Sequence, residues 1–358
     1  MKIALIGPPK SGKTTIFNAL TGAQHEMDKY SPAASEANIG IVQVTDERIT
    51  LLSELYKPKK TIYANIEFHD FPGIFARESE NPESAIYPEI KSCEAFVLIL
   101  RVFKDEELDE LYGPVDPLKM LSHFEDEMIL SDMLVVEKRI EKILLGYKRG
   151  IKTAAIQIEE KALNLILEQL QANKSIRDLD LAPEEDKAIR GFQFFSAKPL
   201  LILLNSSESE FKKQNEALDA IRQRGFMAQV IAGKFEQELS GLNEEDTELF
   251  LADMGMEHSI KDRLTMLCYE LLGLVSFFTV GTDEVRAWTI SKGTNAVNAA
   301  GKIHSDLARG FIRAECFGYA ALIQHGSEKH LKEKGLFRLE GKEYLVQDGD
   351  ILNIRFSV

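Results

Sequence analysis

The sequence predicts an α/β protein, and three observations carry that reading. The first residues run from an apolar strand through a glycine-bearing loop into a helix. Short, almost wholly apolar segments recur along the first two thirds of the chain. The last stretch is strand-rich and separated by turn signals. Short hydrophobic strands alternating with helices imply a mostly parallel sheet covered on both faces.

Taken in order, Lys2–Ile6 is the first strand, Gly7–Gly12 a loop, and Lys13–Leu20 a helix. Thr61–Asp70, Ala95–Arg101, Pro199–Asn205 and Gln229–Ala232 read as further strands. Between the third and fourth strands, Ile129, Met133, Val136, Ile140 and Ile143 recur at helical spacing. Ile156, Leu163, Leu167 and Leu170 do the same after a break at residues 146–150. Two such helices around a glycine-flanked turn predict an inserted antiparallel hairpin. In the tail, Val285–Ile290, Phe311–Phe317, Leu336–Leu339, Tyr344–Val346 and Ile351–Phe356 are strand-like. One helix, Ala296–Ala308, interrupts them, and Asp348-Gly349-Asp350 marks a turn. The organisation expected is a nucleotide-binding domain over 1–122 and 193–275, the hairpin over 123–192, and a small β-rich domain over 276–358.

Composition limits the function classes. The 358 residues are 44% hydrophobic and 28% charged, as in globular proteins. No apolar run approaches the roughly 20 residues that cross a bilayer, and Met1–Leu5 goes straight into a strand pattern without a signal-peptide apolar region or cleavage site. Three cysteines, Cys93, Cys268 and Cys316, lie far apart, which excludes a disulfide framework or a zinc cluster. These features point to a cytoplasmic protein without a membrane partner. A net charge of −14 argues against broad coating of nucleic acid. Residues 276–358, however, carry eleven Lys/Arg against ten Asp/Glu, so this stretch is a separate candidate for contact with a polyanion.

The chemistry centres on Gly7-Pro8-Pro9-Lys10-Ser11-Gly12-Lys13-Thr14, which fits G-x-x-x-x-G-K-[ST] between a strand and a helix. Backbone amides of Pro9–Thr15 (proline excepted) would turn onto phosphate oxygens, Lys13 would reach the β- and γ-phosphates, and Thr14 would ligate Mg²⁺. Asp70-Phe71-Pro72-Gly73 ends the second strand as a D-x-x-G element; Asp70 would hold Mg²⁺ and the Gly73 amide would sense the γ-phosphate. Asn205-Ser206-Ser207-Glu208 ends the fourth strand where GTPases carry N-K-x-D. Glu208 is one methylene longer than Asp, and Ser206 replaces the ring-flanking lysine, so guanine specificity is weakened while GTP stays possible.

With these residues in hand, the chain resembles the YchF/Obg-like ATPases, P-loop proteins of the translation-factor-related GTPase class. The resemblance spans nearly the whole length. It is carried by Glu137-Lys138-Arg139, Arg190-Gly191, Ala197-Lys198-Pro199, Asn205 with Glu208, Gly233–Leu239, Leu271–Leu274, Val285–Ile290, Ile303–Asp306, Phe311–Glu315 and Val346–Asp350. It implies that the tail is a TGS domain of β-grasp fold and that the N-x-x-E element selects ATP over GTP. It also implies that Gly233 belongs to the nucleotide site, and that the ribosome and RNA are partners through the TGS domain and the hairpin.

Several positions depart from that family. Lys10 replaces an Asn that helps to hold K⁺ in related GTPases, and its ammonium is expected to take the cation's place. Ala34 stands at the Mg²⁺-binding Thr of switch I, with Ser35 beside it, and Ala76–Pro88 forms a polar acidic loop. Ile74 cannot orient a water molecule, which predicts slow turnover. His69 neighbours Asp70 but points to the opposite face of its strand, as a packed histidine would.

Three functions follow from the residues. The leading one is a slow Mg²⁺-dependent ATPase acting as a nucleotide switch on ribosome or RNA, with Lys13, Asp70 and Gly73 as its machinery. A second is a nucleotide-sensing binding protein with little or no hydrolysis, or a GTP-preferring member. A third is a P-loop kinase for a small acceptor, thinly supported because Arg77 is the one arginine in the loop after D-x-x-G. Trp288 reads as a half-buried core residue or, more sharply, an RNA-stacking ring. Arg286, Lys292, Lys302, Arg309 and Arg313 are candidates for a basic face.

Overall fold

The computed structural model describes residues 1–22, 37–71, 87–253 and 255–357. Ala34, Ser35, Gly73, Ile74 and residues 76–86 of the acidic loop lie outside them.

The strands along the chain are β1 (Lys2–Ile6), β2 (Asn38–Gln43), β3 (Lys60–Ile62), β4 (Asn65–Asp70), β5 (Ala95–Arg101), β6 (Leu200–Asn205) and β7 (Met227–Ile231). They are followed by β8 (Leu274–Thr279), β9 (Glu284–Ser291), β10 (Phe311–Gly318), β11 (Arg338–Glu340) and β12 (Asp350–Phe356). The first sheet has the order β2-β4-β1-β5-β6-β7, and the second β11-β10-β12-β8-β9-β3. In the first, β4, β1, β5, β6 and β7 pair in parallel. Every residue of β5 (AFVLILR) and β6 (LLILLN) is buried, the mark of strands covered on both faces.

Two compact units result: Met1–Gly40 with Glu67–Ile260, and Ile41–Ile66 with Lys261–Val358. Residues 41–66, which the sequence suggested were part of the first domain, therefore belong with the tail.

In the first unit, helix α1 (Lys13–Thr21) follows the loop after β1. Its end is closed by Gly22, whose amide donates to Asn18 O. The hairpin comes later, after helices α2 (Glu47–Tyr56) of the second unit, α3 (Tyr87–Ser92) and α4 (Glu106–Tyr112). It consists of α5 (Pro117–Lys148), capped by Asp116 with Pro at its first turn, and α6 (Ala154–Gln171), capped by Thr153. Ile129, Val136 and Ile143 meet Ala162, Leu163, Ile166 and Leu170 in one core. The buried Asp132 carboxylate ties α5 to the body of the unit. It accepts from Phe195 N at 2.9 Å and from Ser196 N and Oγ at 2.7 Å each. Burial pushes its pKa up, and those three donors oppose the shift.

In the second unit, β8, β9, β10 and β12 form the main sheet over a core that includes Phe277, Phe311, Ala314 and Leu352. Arg48 on α2 donates to Asp348 at 2.7 Å and to Asp46, the cap of its own helix.

Four further sequence expectations change. Thr61–Asp70 is not one strand: the chain bends at residues 63–64, and β3 pairs with β9 while β4 pairs with β1. Ala296–Ala308 is two helices, Ala296–Ile303 and Ser305–Arg309. They part at His304, whose backbone is extended and whose Nδ1 accepts from Asp306 N. Tyr344–Val346 makes no ladder, only an isolated bridge between Asn295 and Leu345. The tail also holds helices Tyr319–His325 and Glu328–Glu333, which the reading of a single helix left out.

Candidate nucleotide-binding site

The loop between β1 and α1 is shaped by two glycines that no other residue could replace without displacement. Gly7 has φ 148°, and a Cβ there would lie 2.3 Å from Ile99 O. Gly12 has φ 95°, and its Cβ would lie 2.1 Å from Asn205 Nδ2. Lys10, at φ 58°, takes the left-handed conformation with a full side chain, which is exposed.

Lys13, first residue of α1, is buried. Its Nζ donates to the carbonyl oxygens of Gly7 and Pro8 at 2.8 Å each. Burial lowers its pKa to about 8, with Asp70 pulling the other way. Asp70 ends β4, and the parallel register of β4 with β1 sets it beside Leu5, one residue from the strand end that feeds the loop. The Thr14 hydroxyl donates to Asp70 Oδ2 at 2.9 Å. Ser11 Oγ is buried without a hydrogen-bond partner.

These residues fit a phosphate chain with a divalent ion. A hydroxyl and a carboxylate held together are the hard oxygen ligands that Mg²⁺ takes alongside phosphate oxygens. A buried ammonium resting on two loop carbonyls can exchange them for phosphate oxygens of greater charge. Pro9, Lys10, Ser11, Gly12 and Thr15 complete the loop and first turn around that position.

Asn205 ends β6 and closes the other side. Its Nδ2 donates to Ser11 O at 2.9 Å, and its Oδ1 accepts from Gly233 N at 3.0 Å. Sequence reasoning cast Asn205 and Gly233 only as nucleotide contacts. The structure shows each also binding the other and, through Asn205, the loop itself. Glu208, three residues on, is exposed.

His69 is 5% exposed, its Nε2 sits 2.6 Å from Glu67 Oε1, and its ring stacks on Phe71 at 6.0 Å. It is a packed residue, as its strand position predicts. In the second unit, the Trp288 ring stacks on Phe277 and its Nε1 donates to Thr279 Oγ1 at 3.0 Å. The Arg286 guanidinium lies 3.9 Å from the Trp288 ring centre. The ring is thus part of that unit's packing. Of the other basic candidates, Arg309 pairs with Asp306, while Lys292, Lys302 and Arg313 are exposed. Sequence reasoning missed Arg355, which faces Arg313 across β10 and β12 and itself pairs with Glu315; only the strand register reveals the two arginines side by side.

A parallel sheet bearing a glycine loop, a buried lysine and a Thr–Asp pair at its strand ends defines a P-loop nucleotide-binding protein of the GTPase fold class. Residues 2–139 match the family described as 50S ribosome-binding GTPase. Residues 274–357 match the YchF-type C-terminal domain, described as a protein of unknown function. The chain is 38% identical to the ribosome-binding ATPase YchF of Bacillus subtilis, covering 99% of this chain and 98% of the relative. It is 35% identical to the protein of that name from Haemophilus influenzae, covering 100% and 99%. The structure of the Schizosaccharomyces pombe YchF GTPase superposes with a TM-score of 0.83 at 28% identity, covering 99% of this chain and 97% of that one. The chain belongs to the YchF family. No helix among the described residues is long and apolar enough to cross a membrane.

Proposed function

We propose that this protein binds ATP with Mg²⁺ at Gly7–Thr15, hydrolyses it slowly, and uses the bound nucleotide to govern its association with the ribosome in the cytoplasm. The observation that carries the reading is the Thr14–Asp70 hydrogen bond at 2.9 Å, next to a buried Lys13 held by the loop. The names of its bacterial relatives, ribosome-binding ATPases, support both the nucleotide and the partner.

Mg²⁺ bound there would supply positive charge to the phosphate oxygens. Thr14 and Asp70 hold that ion, and Lys13 neutralises charge that develops on the transferred phosphoryl group. Amides of Lys10–Thr15 position the phosphates. Gly73 senses the γ-phosphate. Asn205, Glu208 and Gly233 frame the base, with the longer Glu208 disfavouring guanine. Ile74 offers nothing to orient water, so positioning supplies most of a modest rate. RNA contact falls to the TGS-type domain, where Arg313 stands directly opposite Arg355, and to the helical hairpin.

A second reading, a nucleotide sensor without useful hydrolysis, is favoured by Ala34 at the position of the switch I threonine. Calorimetric titration with Mg²⁺ complexes of non-hydrolysable ATP and GTP analogues and of ADP separates the two. Tighter binding of the ATP analogue than of ADP, with ribosome co-sedimentation that depends on which is bound, supports the switch. Equal affinity for the ATP analogue and ADP gives the lead to the sensor.

A further inference from the structure

We propose that the first unit carries a second small-molecule site, behind the phosphate-binding loop, for a largely apolar ligand bearing one neutral hydrogen-bond acceptor. A cavity of about 210 Å³ is walled on one side by the loop residues Gly7–Ser11. Arg101, Leu108, Tyr112, Met120, His123 and Phe124 wall the rest. Lys13, Thr14, Asp70, Asn205, Glu208 and Gly233 are not part of its lining; the cavity shares with the nucleotide site the loop residues Gly7–Ser11 and continues away from the metal and base positions toward α4 and α5.

Two atoms give this cavity the character of a built site. Arg101 ends β5 at 4% exposure. Its Nη2 donates to Asp109 Oδ1 at 2.7 Å and its guanidinium lies 5.7 Å from the Phe103 ring centre, but its Nη1 is buried with no hydrogen-bond partner. Ser11, also in the lining, has a buried hydroxyl without a hydrogen-bond partner. Buried donors in folded proteins are nearly always satisfied, and ligand pockets are apolar clefts in which a few such groups converge. A molecule whose acceptor meets Arg101 Nη1 would satisfy it.

The ligand class follows from the surroundings. Asp109 already answers the guanidinium charge, so a carboxylate would place two anions on one cation, whereas a carbonyl would not. Most of the remaining lining is apolar, with Pro8, Pro9, Leu108, Tyr112, Met120 and Phe124, and Lys10 and His123 are its other polar side chains. An engineered apolar cavity of about 150 Å³ takes benzene, so this one has room for a ring with a short carbonyl arm. Because the loop is itself a wall, occupancy and nucleotide binding are coupled, and the coupling is reciprocal.

The test uses the full chain and 4-fluoroacetophenone, followed by its ¹⁹F line width, against 1-ethyl-4-fluorobenzene, which keeps the shape and lacks the carbonyl. The ketone is expected to bind about tenfold tighter than the hydrocarbon, and Arg101→Met to abolish that difference. Leu108→Trp, at a half-buried position on α4, is expected to fill the cavity and remove binding of both while nucleotide binding survives. The ketone's affinity is expected to move at least about threefold when an ATP analogue saturates the protein. Equal binding of ketone and hydrocarbon, ketone binding that survives Leu108→Trp, or indifference to nucleotide would each overturn the proposal.

Discussion

Asn205 holds Ser11 in place: its carboxamide Nδ2 donates to the Ser11 carbonyl at 2.9 Å while its Oδ1 receives the Gly233 amide at 3.0 Å. One side chain thus fixes the spacing between the phosphate loop and the start of the helix after β7. Asn205→Ala leaves a buried carbonyl and a buried amide unpaired, at about 1–3 kcal/mol each. The melting temperature should fall by several degrees, and ATP-analogue affinity should drop with it. Asn205→Asp should be worse for nucleotide, because a carboxylate would face the Ser11 carbonyl. Unchanged melting in Asn205→Ala would remove the bridge from the account.

Lys13 makes nucleotide binding depend on pH. With its pKa lowered to about 8 by burial, Lys13 is half deprotonated in the free protein near that pH, whereas phosphates would restore the charged form. Affinity for the ATP analogue should therefore fall as pH rises through about 8, with proton uptake on binding. Calorimetry at pH 8.5 in two buffers of different ionisation enthalpy measures that uptake directly. In the free protein the sign reverses. The unfolded chain, with an ordinary lysine pKa of 10.5, holds more protons between about 8 and 10.5, so this group's contribution to stability rises with pH across that window.

Asp132 is the tie between the hairpin and the unit's body. Asp132→Ala strands two backbone amides and a hydroxyl in a buried position, and should cost about 3 kcal/mol or more in denaturant unfolding. A loss below about 1 kcal/mol would mean that apolar packing alone holds the hairpin.

Lys10 is expected to make turnover indifferent to the choice of monovalent cation. ATP hydrolysis should run at the same rate in Na⁺ and K⁺, and Lys10→Asn should introduce a several-fold preference for K⁺. The substitution also suits the backbone, since asparagine takes a φ of 58° more readily than lysine does. A wild-type rate that climbs several-fold in K⁺ would refute this role.

Arg313 and Arg355 supply a salt-dependent contact if RNA lies on the second sheet. Removing both should weaken single-stranded RNA binding and flatten the plot of log affinity against log salt by about 1.4. A double variant with the parent slope would place RNA elsewhere.

The nucleotide site was readable in the sequence because its chemistry is local. Gly7, Gly12, Lys13 and Thr14 sit within one loop, and Asp70 and Asn205 end apolar runs. What escaped was anything set by pairing across the chain. Nothing in TIYANIEFHD says that its first residues join one sheet and its last another. β2 was missed because its alternation is weak, with Ile39 at 58% and Ile41 at 67% exposure. Arg101 looked like the end of a core strand, and only its neighbours reveal an unused donor. The role of Asn205 as a strut needed the geometry of Gly233.

The placement of β3 has a consequence for how the polypeptide is made. Lys59 and Asp283, which meet through a 2.8 Å ion pair just before β3 pairs with β9, are separated by 224 positions. At translation rates of about 5–20 residues per second, α2 and β3 wait roughly 10–45 s for their partner strand to be synthesised. An N-terminal fragment ending before β9 would carry β3 as an unpaired edge, prone to self-association. The smallest piece that folds faithfully is therefore not the first two thirds of the chain, and dissection of this protein should leave its ends joined.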